Sequence, residues 1–414
     1  MLYEIAIRLL GSGMRLAALF HPKAAKWVEG RRNWRARYRE VFDKKGRLLW
    51  VHAASLGEFE QGRPVIEEFR QQFPGWQIVL RFFSPSGYEI RKDYPHADFI
   101  CYLPLDTRRN AQDFLDLIRP DAAVFVKYEF WSNYLRALQK RRTPVVLISA
   151  LFRPGQPFFR WYGGFWRQML RCFSHIFVQN NQSARLLQEI GLQAKVTVAG
   201  DTRVDRVLRI AASAPENPVL ARFAASPAPV LIAGSTWPAD EAALSSVLFL
   251  PDFQHYKIVW APHEPTAEQV ERLEKRLSPE LVVRYSQAAE KAVESARHLI
   301  IDNIGLLNTL YRYGRIAYIG GGFGRGIHNT LEPAAWGLPV IFGPKYGKFE
   351  EARQLVARGG AFSVGDPESL AGVLQRLGKP AAWQKASETV GAYMAESKGA
   401  TRSVLEYWVA RLPK

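Results

Sequence analysis

Two successive series of short apolar runs, each run followed by a longer amphipathic stretch, constrain this chain more than any other feature. The first series occupies 48–52, 77–83, 122–126, 144–149, 175–179 and 196–199; the second occupies 229–233, 257–261, 281–284, 298–301, 315–319 and 339–342. Apolar runs of strand length without polar alternation need cover on both faces, and helices between them supply it. The pattern predicts an α/β protein with two Rossmann-like, doubly wound sheets, whose ligands sit beyond the carboxyl ends of the strands. At 414 residues the chain is too long for one ordinary core. The expected organisation is an interfacial helix and basic-aromatic segment over 1–40, a first domain over 41–210 and a linker over 211–228 marked by Pro215, Pro218 and Pro227. A second domain over 229–395 and a terminal helix over 396–414, returning to the first domain, complete it. Two such domains facing a central cleft suit an enzyme with two substrates.

Charge narrows the partners. The chain has 56 Lys and Arg against 39 Asp and Glu, a net +17, which predicts an anionic partner: nucleic acid, acidic lipid or a charged substrate. Residues 1–20 are apolar but interrupted by Glu4, Arg8 and Arg15. A membrane-spanning helix needs about 20 nearly uncharged residues, so a helix lying in the bilayer interface is expected, with packing on the first domain as the alternative. Arg31, Arg32, Arg35, Arg37 and Arg39 follow, interleaved with Trp34 and Tyr38. Each charge near an anionic surface adds ~1 kcal/mol. A second aromatic and basic stretch, 151–167, carries Arg153, Arg160 and Arg167 and suits a lipid interface, single-stranded nucleic acid or a buried helix. No small-residue cleavage site follows the first helix, so no secretory signal is expected. The two cysteines, Cys101 and Cys172, lack metal-ligand spacing, and no metal or cofactor is expected.

The candidate chemistry lies where strands are expected to end. Glu58 follows the first strand one turn into a helix and is the candidate general base, whereas Glu60 lies roughly 200° around that helix. Glu129 follows the strand at 122–126. Arg203, after 196–199, can offset negative charge or pair with Asp201 or Asp205. In the second half, Gly320, Gly321 and Gly322 open a loop running through His328-Asn329-Thr330-Leu331-Glu332 into a short helix closed by Gly337. Glycines admit a ligand close to the backbone and a helix start favours an anion, although Asn329 and Glu332 also have capping-box spacing. The loop is neither a Walker motif nor a dinucleotide fingerprint. The strand ends at 234–237 and at Pro262-His263 add polar loops.

In their order and spacing these motifs resemble one family, the 3-deoxy-D-manno-octulosonic acid (Kdo) transferases of lipopolysaccharide synthesis, which have a GT-B fold. The resemblance rests on Ser55-Leu-Gly-Glu58, Tyr128-Glu-Phe-Trp-Ser-Asn133, Gly200-Asp-Thr-Arg-Val-Asp205, Gly234-Ser-Thr236, Pro262-His263, Gly320-Gly-Gly322 and His328-Asn-Thr-Leu-Glu-Pro333. It implies metal-independent, inverting transfer of Kdo from CMP-Kdo to lipid IVA at the inner membrane, without nucleic acid as a partner. Glu58 is then the base, and Glu129 and Arg203 stabilise the transition state. The CMP portion falls to Pro262, His263, Ile304, Gly305, Leu306, Asn329, Thr330, Leu331 and Glu332. Arg203 stands where the family usually has lysine, His263 where it has arginine, and Ile327 replaces a glycine. The alternatives are a GT-B relative that uses a UDP-sugar, a basic nucleic-acid-binding protein without a recognisable motif, and an inert lipid-binding scaffold.

Overall fold

The computed structural model describes residues 2–277, 281–288 and 293–413. It divides into two compact units, Met1–Asp205 with Ser397–Lys414, and Arg206–Glu396.

In the first unit a seven-stranded sheet comprises β1 (Arg47–Ala53), β2 (Trp76–Phe82), β3 (Phe99–Tyr102), β4 (Ala122–Val126), β5 (Val145–Ala150), β6 (His175–Val178) and β7 (Val196–Val198). Its order is β3-β2-β1-β4-β5-β6-β7 and the paired strands run parallel. The order reverses between β1 and β4, which makes their carboxyl ends the switch point where ligands bind in such sheets. Alternate residues of β1 serve the two faces. Leu48 and Trp50 enter one core, where Trp50 meets Phe114, Phe125 and Tyr134 edge-on, and Leu49 and Val51 enter the other. The terminal helix Ala400–Val409 covers this second face with Val404, Leu405 and Trp408. Asp205 holds its start, accepting the N–H groups of Gly399 (2.6 Å) and Thr401 (2.7 Å).

The second unit repeats the plan with β8 (Val230–Thr236), β9 (Lys257–Pro262), β10 (Val282–Arg284), β11 (His298–Ile300), β12 (Ile316–Ile319), β13 (Val340–Phe342) and β14 (Ala361–Ser363). Its order, β10-β11-β9-β8-β12-β13-β14, places the switch point between β8 and β12. Two strands, β3 and β14, have no counterpart among the apolar runs read from the sequence. Both are edge strands of three or four residues, paired on one side only, as are β7 and β10, whose apolar runs the sequence does show.

The stretch 211–228 is not the open linker its prolines suggested. The helix Thr202–Ser213 runs into it, and Pro218–Ala224 forms a helix whose start is capped by Asn217 and whose Leu220 and Phe223 are fully buried. Pro218 stands at the first helical position, where a missing N–H costs nothing.

The N-terminal helix, Leu2–Ala17, is anchored narrowly. Only Ile7 and Gly11 are buried, and a Cβ at Gly11 would meet Leu105 Cδ1 at 2.5 Å. Tyr3 donates to Asp106 (2.6 Å), a buried carboxyl that also accepts the N–H groups of Asn133 and Tyr134. Burial pushes Asp106 up to about 7. Opposite this anchor Leu2 (82% exposed), Ile5 and Leu9 stay in solvent, as do Leu16, Leu19 and Phe20 (83%) at the far end. Among the described residues no helix is long and apolar enough to cross a membrane.

Candidate functional site

In the first unit three sequence-predicted residues are tied to one edge of the sheet. β1 runs through His52 to Ser55, which precedes the helix Leu56–Gln72. Ser55 does not cap the helix backbone; its hydroxyl donates instead to the Glu58 carboxylate. Glu58 is partly exposed and forms no ion pair among the described residues. Glu60, by contrast, pairs with Arg91 at 2.9 Å, so the two carboxylates separate by environment as their angular spacing indicated.

Glu129 follows β4, the neighbour of β1, and is held where sequence reasoning named no partner. Its Oε2 lies 2.7 Å from His52 Nε2 and accepts the indole N–H of Trp131 at 2.6 Å. His52 is fully buried on β1, and its Nδ1 has no partner among the described residues. The same Nε2 lies 3.0 Å from the Trp131 indole nitrogen, and a proton on Nε2 satisfies the contact with the Glu129 carboxylate. These contacts span 77 positions in one case and two in the other, so only the Trp131 partner had a local signal.

Arg203 is not an unpaired cation. Its Nε and Nη2 grip Asp201 at 2.7–3.2 Å, and Asp201 also accepts from Gln61, one turn beyond Glu58. Burial alone would raise Asp201, but Arg203, through charge and hydrogen bonds, with Lys127 adding charge, holds it below the ordinary carboxylate range. The pairing that spacing left open therefore forms with Asp201, while Asp205 serves the terminal helix.

In the second unit the polar loops follow four adjacent strands, β11, β9, β8 and β12. The glycines after β12 answer first to packing within the protein. A Cβ on Gly320 would meet Ser235 O at 2.2 Å and one on Gly322 would meet Gly343 N at 2.5 Å, while Gly321 has φ +91°. Buried Asp240, which the sequence did not single out, pins the loop: it accepts the N–H groups of Gly321 (2.9 Å) and Trp237 (3.0 Å) and the hydroxyl of Tyr318 (2.9 Å). The helix beyond is Leu331–Ala334, one turn long, so no appreciable macrodipole accumulates at its start and that part of the expectation falls. Asn329 accepts the N–H of Leu331 (3.1 Å) and donates to Glu332 (3.0 Å), a local cap that fixes both side chains. Thr330 is buried with its hydroxyl unpartnered among the described residues.

His263 lies in a stack: its ring is 4.2 Å from His328 and 4.8 Å from Trp237. Trp237 Nε1 donates to His328 Nε2 (3.1 Å), which leaves Nδ1 of His328 as the donor. Burial, helped by His263, pushes His328 down to about 4, so it is neutral at pH 7. Ile304 (89% exposed), Gly305 at φ +104° and Leu306 form the turn beyond β11. No cluster of three metal-ligating side chains occurs among the described residues.

Residues 32–206 match the family described as 3-deoxy-D-manno-octulosonic-acid transferase (kdotransferase). The 3-deoxy-D-manno-octulosonic acid transferases of Haemophilus influenzae and Bordetella pertussis are each 26% identical. Their alignments cover 79% and 86% of this chain and 77% and 86% of theirs. The chain is thus similar to the Kdo transferases over most of its length. Its fold is GT-B, as in the UDP-GlcNAc 2-epimerase of Neisseria meningitidis, which superposes with a TM-score of 0.60 over 88% of this chain and all of that one at 16% identity. Kdo transferases are glycosyltransferases, so a carboxylate able to take a proton and loops able to hold a nucleotide are the features to weigh.

His52 offers a test of how Glu129 is held. His52→Leu removes the buried donor and is expected to lower kcat about tenfold or more, with KM for the acceptor little changed, since one buried charge-assisted hydrogen bond contributes ~1.5–3 kcal/mol. His52→Gln, which keeps a donor, recovers part of the loss. A KM effect without a kcat effect, or no rescue, contradicts the positioning role.

Proposed function

We propose that this chain transfers Kdo from CMP-Kdo to the 6′-hydroxyl of lipid IVA with inversion at the anomeric carbon, and that Glu58 is the base. The observation that carries this reading is the state of Glu58: at a strand end, partly exposed, oriented by Ser55 and free of any cation among the described residues. A carboxylate so placed is able to accept the hydroxyl proton as the oxygen attacks. Glu129, fixed by His52 and Trp131, and Arg203 then serve the charge that shifts in the transition state. Because Asp201 offsets Arg203, its share is smaller than that of an unpaired cation. CMP departs as an anion to Pro262, His263, Ile304, Gly305, Leu306 and Asn329 through Glu332. With imidazole and indole rings in place of a guanidinium at His263, nucleotide binding relies on stacking and neutral donors more than on charge.

The acceptor is a lipid, and the exposed apolar side of the N-terminal helix together with Trp161 (92% exposed) gives the first unit a surface for the cytoplasmic face of the inner membrane. Thermal unfolding with nucleotides tests the donor. At about a hundredfold excess over Kd a ligand stabilises by ~2.7 kcal/mol, so CMP is expected to raise the melting temperature by several degrees and UDP to leave it unchanged. A larger shift with UDP transfers the reading to a UDP-sugar enzyme.

A further inference from the structure

Beneath the N-terminal helix the first unit holds a pocket of about 540 Å³ lined by Arg15, Arg31, Arg32 and Arg35, with Trp27 and Leu105 among its other walls and no acidic residue. The four cations are unequally satisfied. Arg35 is neutralised by Asp113 (2.6 Å) and also bonds Asn110. Arg31 packs on the Trp27 ring at 3.9 Å and spends its donors on the carbonyls of Phe83, Leu103 and Trp27, at 2.7–2.9 Å. Carbonyl dipoles satisfy its hydrogen bonds without cancelling its charge. Burial lowers Arg31 to about 9, so it remains a cation at neutral pH. Arg15 and Arg32 are exposed and have no ion pair among the described residues. Three positive charges thus face one concavity without a counter-charge, and their summed field attracts an anion.

The shape says which anion. Guanidinium forks match phosphate oxygens, and the volume exceeds what a bare phosphate fills and falls within the range of small-molecule sites. Arg15 is followed along the chain by exposed Leu16, Leu19 and Phe20, which provide apolar surface beside a charged head. We propose that this pocket binds the phosphate monoester of a lipid headgroup. A monoester presents terminal oxygens and a charge near −2 to several arginines at once. A diester, flanked on both sides and singly charged, offers less. The inference does not use the transfer reaction, and its test is a binding measurement without donor or acceptor.

The full chain is mixed with phosphatidylcholine vesicles containing either phosphatidic acid, a monoester, or phosphatidylglycerol, a diester, adjusted to equal surface potential, and partitioning is measured by flotation. With the surface potential matched, wild type is expected to prefer phosphatidic acid by about tenfold, equivalent to ~1.4 kcal/mol, through direct contacts with the monoester oxygens. The double variant Arg15→Glu with Arg32→Glu loses that preference. A control with the same charge change outside the pocket, Arg39→Glu with Lys23→Glu, keeps it, although its overall binding weakens. Both pairs are exposed, so folding is retained. Excess glycerol phosphate, which carries the monoester without a bilayer, abolishes the wild-type preference. Equal binding of the two lipids, equal loss of preference in the control, or a preference that survives glycerol phosphate overturns the pocket as a monoester site.

Discussion

Glu58→Gln is expected to lower kcat for Kdo transfer by a factor of about a hundred to ten thousand, the span a positioned general base contributes, while CMP binding stays intact. Glutamine preserves the shape of the side chain and can still accept the Ser55 hydroxyl, so the variant removes proton affinity with little else disturbed. The companion Glu60→Gln separates the base from a generic acid in the first turn of a helix. Glu60 pairs with Arg91 outside the proposed chemistry, and turnover is expected to remain near wild type. Should both variants lose activity equally, the loss belongs to the helix and not to a base. Undiminished turnover in Glu58→Gln removes this residue from the role.

The second large effect is structural at its origin. Asp240→Ala deletes the acceptor for Gly321, Trp237 and Tyr318 together, leaving buried donors unpaired at ~1–3 kcal/mol each. A loss of about 3–5 kcal/mol in stability is expected, as for other broken buried networks. The freed glycine loop is also expected to weaken CMP binding at least tenfold when measured well below the new melting temperature. Asp240→Asn keeps one acceptor oxygen and recovers part of both losses. A variant that loses stability but binds CMP as wild type does would show that the loop holds its shape without Asp240. Unchanged stability would show that the three donors find other partners.

These two residues mark what the sequence could and could not reveal. Glu58 was legible because a strand end and the first turn of its helix are local features, and the central strands were legible because a strand covered on both faces reads as an unbroken apolar run. At the sheet edges, where one partner strand is missing, that signal is uneven: β7 and β10 show it and β3 and β14 do not. Asp240 and His52 escaped notice for a different reason: their partners Gly321 and Glu129 lie 81 and 77 positions away, and no local spacing records such a meeting. The glycine loop stands out in the sequence, and packing within the unit supplies one cause of it. Gly320 and Gly322 are required where the loop presses on Ser235 and Gly343 of the same unit, so a glycine-rich signature reports close backbone approach without saying what approaches. Likewise the proline-marked stretch 211–228 read as a break, whereas Pro218 begins a helix with a buried face.

Mass spectrometry of lipid IVA incubated with the purified chain and CMP-Kdo generated in situ tests the central claim most directly. Acceptor ions heavier by one or more whole Kdo residues are expected with the wild-type chain and are lost with Glu58→Gln. An unmodified acceptor in a reaction where CMP-Kdo is present and bound would contradict it.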